Sequence, residues 1–599
     1  MLFRKNEGTN NMAIQKGFHS TKESLKTAIK VAKGEQKADL VIKNAKVLDV
    51  FNGCFVQGDV AINSGAIVGI METYKGKAEI DAKGSYLVPG FIDAHVHIES
   101  SLMTPAQFQR AILPRGTTSV IWDPHEITNV KGMEGIQWAL KSAENLLLDI
   151  FVMLPSCVPS TSPELNLETS GAVLYPHDLT VFRTRPGVLG LAEMMNYPGL
   201  LACDDDVLDK MMDFKKLKRD GHCPGLSGKT LNAYAAAGIH SDHESTTLEE
   251  AREKLAKGIF CLIREGSCAK NADALLPILN AYTSTVVALC SDDRNPADIF
   301  TEGHIDFIIN KALKLGHSPE DVFRAASFSP AKIYDLEDRG AIAPGYKADF
   351  CLVKPNKNNW ENGMKVQSVY KNGLLINSDN IPKNREFGFN GKNIHIASCH
   401  IIDFQVPAKN SAKQHVKVVG VQPGQILTDE LEAELSVISG EVEADISQDI
   451  LKIAVFERHH ATGNHAVGFV KGFNIKNGAI ASSINHDSHN VIVVGSTDEA
   501  MLDAVRTLID IDGGIVVVDD EGNHTILPLP IGGLMSNSSP EDVYDHLMQL
   551  KKMAKKIGCT LEEPFLQLAF LALPVVPSLK ITDRGLIDVN QFKKVAVVL

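Results

Sequence analysis

Tyr86-Leu-Val-Pro-Gly-Phe-Ile-Asp-Ala-His-Val-His-Ile-Glu99 is the stretch on which the reading of this chain turns. Leu87, Val88, Phe91 and Ile92 form an apolar run too short for a helix, so it reads as a buried strand with polar residues at its far end. Side chains two apart on a strand share a face, and His95 and His97 therefore aim at one point. The structural alternative is a pair of hydrogen-bonded core histidines. Two imidazoles buried together without an ion are hard to satisfy, so the pair after Pro-Gly-Phe-Ile-Asp is read as ligands of a divalent metal.

Outward from this stretch, apolar strand-like runs alternate with amphipathic helical ones from 86 to 335, the pattern of βα units around a parallel sheet. The runs predict strands over 87–93, 117–122, 149–154, 188–192, 218–222, 237–241, 259–264 and 286–290. Eight strands in such a span is the size of an α/β fold of the (β/α)8 TIM-like barrel type. The fifth is weak, since Lys218-Arg-Asp-Gly offers little to pack. The strand ends carry His95 and His97, Asp123 and His125, Glu193, His222, His243, Arg264 and Asp292. In a barrel these positions converge on one mouth. Any one of them could merely cap a helix, Asp123 above all because Pro124 follows it, but capping does not explain so many.

Short β-rich segments from Ala38 to Ile80 share a vocabulary with Gly345-Tyr-Lys-Ala-Asp and Val366 to Ile376. They predict a composite β-sandwich, 38–85 plus 336–385, flanking a barrel at 86–335. Residues 1–37 read as a polar N-terminal extension, and 386–599 as an additional α+β domain. That domain should hold strands over 449–456, 491–494, 514–518 and 596–599, with helices over 497–509 and 539–557. Its polar knots, Glu457-Arg-His-His460 and Asn485-His-Asp-Ser-His-Asn490, suit metal binding, the lining of the barrel mouth or the satisfaction of a turn.

At 599 residues the chain exceeds what one core supports. A net charge of −13 and no Lys/Arg stripe argue against a nucleic-acid partner and leave small-molecule chemistry. Ten cysteines without Cys-x-x-Cys pairs fit reduced thiols and a cytoplasmic location. Residues 1–37 lack the apolar core of a secretory signal. Phe565 to Val576, broken by Gln567 and Pro574, falls short of the roughly 20 residues that cross a bilayer, so no membrane span is expected.

A hydrolytic metal site needs ligands, an open position for water and a base. Glu193 closes an apolar strand, which is costly unless it is bound to a cation, and a carboxylate bridging two metals would explain it. His222 and His243 could complete a second ion, though each alone is as readily a hydrogen-bonded strand-end histidine. His240 faces the other way and ranks below His243. Asp292 could touch both metal and water and so act as a proton shuttle. Asp293 reads as a partner of Arg294 or a helix cap. Pro224-Gly-Leu-Ser-Gly-Lys-Thr230 imitates a phosphate-binding loop, but Cys223 stands where a glycine is needed and no apolar strand precedes it. The zinc nucleobase deaminase signature, His-x-Glu followed by Pro-Cys-x-x-Cys, is missing.

Val88-Pro-Gly-Phe-Ile-Asp-Ala-His-Val-His, the flanking Gly345-Tyr-Lys-Ala-Asp and the last-strand Asp292 resemble the amidohydrolase superfamily. Within it, His97-Ile-Glu-Ser-Ser-Leu-Met, Asp123-Pro-His-Glu126, Leu191-Ala-Glu-Met-Met-Asn, Asp242-His-Glu-Ser, Arg264-Glu-Gly-Ser and Asn485 to Asn490 are similar to the bacterial adenine deaminases, from about residue 35 to the end. The resemblance implies hydrolysis of adenine to hypoxanthine and ammonia in purine salvage, with two divalent metals, Mn²⁺ or Fe²⁺ first and Zn²⁺ as an alternative. Carried over by position, His95 and His97 bind the first metal, Glu193 bridges, His222 and His243 bind the second, and Asp292 is the acid/base residue that also contacts metal. A bridging hydroxide would attack C6. Asp123, His125, Glu126 and Arg264 are candidates for substrate contact and ring protonation, and His486, Asp487 and His489 for closing the site. The expected partners are adenine and further copies of the chain.

One rival is another hydrolase of this fold acting on a cyclic amide or N-acyl substrate. Those often carry a carboxylated lysine as bridge, where this chain has Glu193. The other is a non-catalytic assembly protein, which predicts lost ligands, yet all six positions hold competent side chains.

Overall fold

The structure, a computed structural model, describes residues 21–382, 388–396, 403–408 and 412–599. Part of the expected N-terminal extension and part of the start of the expected C-terminal domain lie outside them. The apolar run at 87–93 is not one strand but two. Tyr86–Pro89 belongs to a flanking sheet, while Phe91–Val96 opens the barrel. Proline lacks an N–H to continue a ladder, and the chain changes sheets at Gly90, whose N–H donates to Asp349 O at 2.9 Å. A Cβ on Gly90 would lie 2.3 Å from Thr118 Oγ1. Gly90→Ala is therefore expected to cost about 1–3 kcal/mol through overpacking, read as a lowered Tm.

Eight parallel strands follow: β1 (Phe91–Val96), β2 (Thr117–Trp122), β3 (Asp149–Leu154), β4 (Val188–Met194), β5 (Lys218–Gly221), β6 (Ser241–Asp242), β7 (Phe260–Arg264) and β8 (Val287–Cys290). They pair in sequence order, and a bridge between Val96 and Asp292 draws β8 back to β1. This is the expected barrel. Ile92, Ala94, Ile121, Phe151, Met153, Ala192, Leu262 and Ala288 form one apolar cluster, packed with Ala331, Ile333 and Tyr334 from just after the barrel. The alternate residues Val120, Trp122, Val152, Leu154, Ile263 and Leu289 belong to a second, larger core.

Two later strands also differ from the reading above. The sixth is only Ser241–Asp242, because Gly228–Ala236 is helix and ends at Ala237-Gly238. The fifth is polar yet buried at its end: Asp220 accepts from Ser241 Oγ at 2.5 Å and from Tyr334 Oη at 3.1 Å, so hydrogen bonds replace apolar packing there. Burial pushes the Asp220 carboxyl up to about 7.

Segments from both flanks of the barrel share one eight-stranded sheet, in which Phe350–Pro355 pairs antiparallel with Tyr86–Pro89. Lys22–Ala32, within the stretch read as a polar extension, is a helix that buries Ala28 and Val31 against Val41, Ala61, Val68 and Tyr74. Downstream lies a nine-stranded sheet whose centre holds Ile450–Phe456, Val491–Gly495 and Ala479–Ser482. Helices Asp498–Asp510 and Pro540–Lys556 start at the capping side chains of Thr497 and Ser539. The last strand is Lys593–Val595 rather than 596–599; Val598 makes only an isolated bridge to Val416. This unit is tied to the barrel by Ser536, whose N–H donates to Leu102 O at 2.8 Å. Among the described residues no helix is long and apolar enough to cross a membrane, and nine cysteines are free thiols.

Candidate metal centre

His95 and His97, at the end of β1, face each other with Nε2 atoms 3.1 Å apart. His97 Nδ1 lies 3.1 Å from Asp123 O, and a carbonyl only accepts, so Nδ1 carries a proton and Nε2 is the nitrogen turned inward, where a cation would take the place of its proton. Glu193, from β4, places Oε1 3.3 Å from His97 Nε2 and 4.0 Å from His95 Nε2, and Oε2 3.1 Å from His243 Nε2. One carboxylate thus spans two histidine groups. The rings of His95 and His243 stack at 4.0 Å.

Asp292, just past β8, completes the ring: its Oδ1 is 3.2 Å from His97 Nε2 and 3.7 Å from His95 Nε2. Its φ of 53° is uncommon for a residue with a Cβ. That backbone lets its N–H donate to His95 O at 3.0 Å, so barrel closure itself aims the carboxylate. Asp93 supports this from below, accepting from Ser291 N at 3.0 Å and Ser291 Oγ at 2.5 Å.

Arg264 donates from Nη1 to Asp292 Oδ2 at 2.9 Å, and clasps Glu244 through Nη1 and, at 3.0 Å, Nη2. Glu244 Oε1 in turn sits 3.4 Å from both His222 Nε2 and His243 Nε2. His222 therefore joins the cluster through Glu244 and stands further out than the other expected ligands. Its N–H donates to Tyr234 Oη at 3.0 Å, and that hydroxyl donates to Met194 O at 3.0 Å, which ties β5 to β4. His240 points elsewhere, to Arg219 O at 2.7 Å, as expected. The imitation phosphate loop is spoken for as well, since Gly225 N and Gly228 N donate to Glu250 and Glu253.

Three expectations need correction. Asp123 caps no helix: Oδ2 lies 3.1 Å from His125 Nδ1, and the helix His125–Ser142 has no side-chain cap. Asp293 does not pair with Arg294, which instead donates to Gly303 O, Glu265 O and Glu302 Oε2. Asp293 Oδ1 accepts from Ser100 Oγ at 2.5 Å, and Ser100 Oγ also lies 3.2 Å from Glu126 Oε1. His489 does not line the pocket; its Nδ1 accepts from Asn485 N at 3.3 Å, behind His486.

The C-terminal unit does reach the barrel mouth. Asp487 Oδ1 is 3.7 Å from His125 Nε2 and 3.5 Å from His486 Nδ1. His486 stacks on Phe570 at 4.4 Å, and both line the pocket over the cluster with Ile426 and Leu573. His459 lies against Ser488 O within the C-terminal unit, and His460 against Ser170 O of the barrel's β3–β4 connection.

Burial would raise the carboxyls of Glu193 and Asp292, yet both are held well below the usual range, Glu193 mainly by His243 and Asp292 mainly by His97 and Arg264. Burial would likewise lower His97 and His243, but the carboxylates hold both well above the ordinary imidazole range. The cluster thus demands positive charge. Its inward imidazoles, two buried carboxylates and a Glu193 Oε2 without a hydrogen bond make a donor set that fits divalent cations.

Residues 86–376 match the amidohydrolase family, and residues 425–593 match the adenine deaminase C-terminal domain. The adenine deaminase of Brucella anthropi is 47% identical over 559 residues, covering 93% of this chain and 97% of that protein. That of Cereibacter sphaeroides is 46% identical over 579 residues, covering 96% and 99%. The chain belongs to the adenine deaminase family. Among solved structures it is similar to enamidase, with a TM-score of 0.43 and 19% identity over 57% of this chain and 97% of that one. The two matched regions are the two that meet at the pocket, one bringing the cluster from His95 to Asp292 and the other bringing Ile426, His486, Asp487 and Phe570. The amidohydrolase family implies a divalent metal, and this cluster is where the chain can hold one.

Sequence reasoning missed Glu244, Tyr234, Ser100 and Phe570. An acid directly after His243, at a strand end, was the available signal for Glu244. Nothing local marks Phe570, which reaches the mouth only through tertiary packing.

Proposed function

We propose that this chain hydrolyses adenine to hypoxanthine and ammonia, a reaction of purine salvage, at a centre of two divalent cations, Mn²⁺ or Fe²⁺ by preference and Zn²⁺ as an alternative. The observation that carries it is Glu193 spanning the His95/His97 pair and His243, within a chain of the adenine deaminase family. His95 and His97 would hold one cation, His243 and the more distant His222 the other, with Glu193 shared and Asp292 in contact. Bound cations would supply a water of lowered pKa as the nucleophile for C6.

Asp292, oriented by Arg264, accepts the first water proton and passes it to the amino group as the C6–N bond breaks, and the C6 hydroxyl proton, lost as C6=O forms, replaces the one that the ring nitrogen takes up. Glu126 lines the pocket, and burial pushes its carboxyl up to about 8, so it holds a proton at neutral pH and is assigned to a ring nitrogen of the purine. The stacked rings of Phe570 and His486 give the base an aromatic wall.

Purified protein loaded with Mn²⁺ and offered adenine, adenosine and a dihydropyrimidine tests the reading. Loss of adenine absorbance without adenosine turnover is the expected result, and turnover of the cyclic amide alone overturns it. Phe570→Ala should raise KM for adenine by about tenfold, the equivalent of ~1.4 kcal/mol, with a smaller change in kcat. An unchanged KM would remove Phe570 from the binding wall.

A further inference from the structure

We infer that the connection between β3 and β4 is a clasp that holds the turn 485–490 of the C-terminal unit against the barrel mouth, with Glu168 as its positioning residue. The inference rests on the pocket being the substrate site, and it assigns a role to residues outside the cluster and the pocket lining.

Glu168 is buried, and its two oxygens face different parts of the molecule. Oε1 accepts from Ser160 Oγ at 2.7 Å, Thr161 N at 3.0 Å and Thr161 Oγ1 at 2.8 Å, which brace the start of the same β3–β4 connection just after β3. Oε2 accepts from Ser488 Oγ at 2.5 Å, across the junction. The neighbouring residues repeat the connection. Thr169 O accepts from Asn490 Nδ2 at 2.8 Å, and Thr169 N and Oγ1 donate to Asp583 at 2.9 and 2.5 Å. Ser170 O lies 3.0 Å from His460 Nε2.

Ser488 directly follows Asp487, whose carboxylate stands between His125 and His486 at the pocket. The other hydrogen bonds on Ser488 and His489, with His459, Arg458 and Asn485, lie within the C-terminal unit and cannot set its place relative to β1 and β2. Glu168 can, because the same carboxylate is bonded to the barrel loop. A shift of an ångström in this turn would separate Asp487 from His125, and misplacement of that size is costly for a preorganised site.

The test compares Glu168→Ala, Glu168→Gln, Ser488→Ala and the Glu168→Ala/Ser488→Ala pair in the full-length, Mn²⁺-loaded protein. Backbone hydrogen exchange over 485–490 should quicken about tenfold or more in both alanine variants while exchange over 91–97 and metal content stay unchanged. Catalytic efficiency on adenine should fall at least tenfold in each, with the pair no worse than either single change, since one bond is removed twice. Glu168→Gln retains an acceptor and can donate to Ser488 Oγ, so it should restore most of both readouts. Additive losses in the pair, or unchanged exchange over 485–490, would overturn the clasp. Should the parent protein not turn over adenine, the proposed activity fails, while the exchange comparison still decides the clasp.

Discussion

Asp292→Asn is expected to leave the cations bound and reduce kcat by about 10³-fold. The amide preserves the shape of the side chain and its backbone bond to His95 O, but it cannot take a proton from water. Arg264, bonded to Asp292 Oδ2 at 2.9 Å, would still orient an amide oxygen, so the loss should fall on turnover rather than on KM. Metal analysis with steady-state kinetics separates the outcomes. A variant with near-normal turnover would strip Asp292 of the shuttle role, and one that has lost its metal would recast it as a ligand alone.

Glu193→Ala should have the larger structural consequence. Among the described residues its carboxylate is the one paired with His95, His97, His125 and His243 together, at 4.0, 3.3, 3.5 and 3.1 Å. Removing it leaves buried imidazoles without their anion, which in the cation-free protein should cost about 3–5 kcal/mol and lower Tm accordingly. Cation affinity should fall by at least about 100-fold and adenine turnover with it. Glu193→Gln keeps the volume and tests whether charge or shape matters; the charge argument requires it to lose metal nearly as fully. Retention of full metal content in both variants would mean that Glu193 is not shared between two sites.

Much of the site was legible because barrel chemistry follows strand order. His95 and His97 follow from a period of two on a short apolar strand, and Glu193, His243 and Asp292 from acids and imidazoles at the ends of later strands. The same logic misjudged Asp123, because a residue ahead of proline looks like a cap whether or not its side chain turns back toward His125. It also merged 87–93 into one strand, since hydrophobic pattern does not report that Pro89-Gly90 passes the chain from one sheet to another. Glu244 went unread beside His243 because only the folded chain brings Arg264 and His222 to it.

The sequence by itself determined the barrel, its order of strands and the donor types at its mouth, because each depends on local periodicity and on the cost of burying an unpaired polar group. Only tertiary structure decided that β8 closes on β1 to aim Asp292, that Ser100 stands between Glu126 and Asp293, and that Phe570 comes from far along the chain to wall the pocket beside His486. Those contacts join residues from 26 to several hundred positions apart, and no local pattern encodes a distance that packing alone sets.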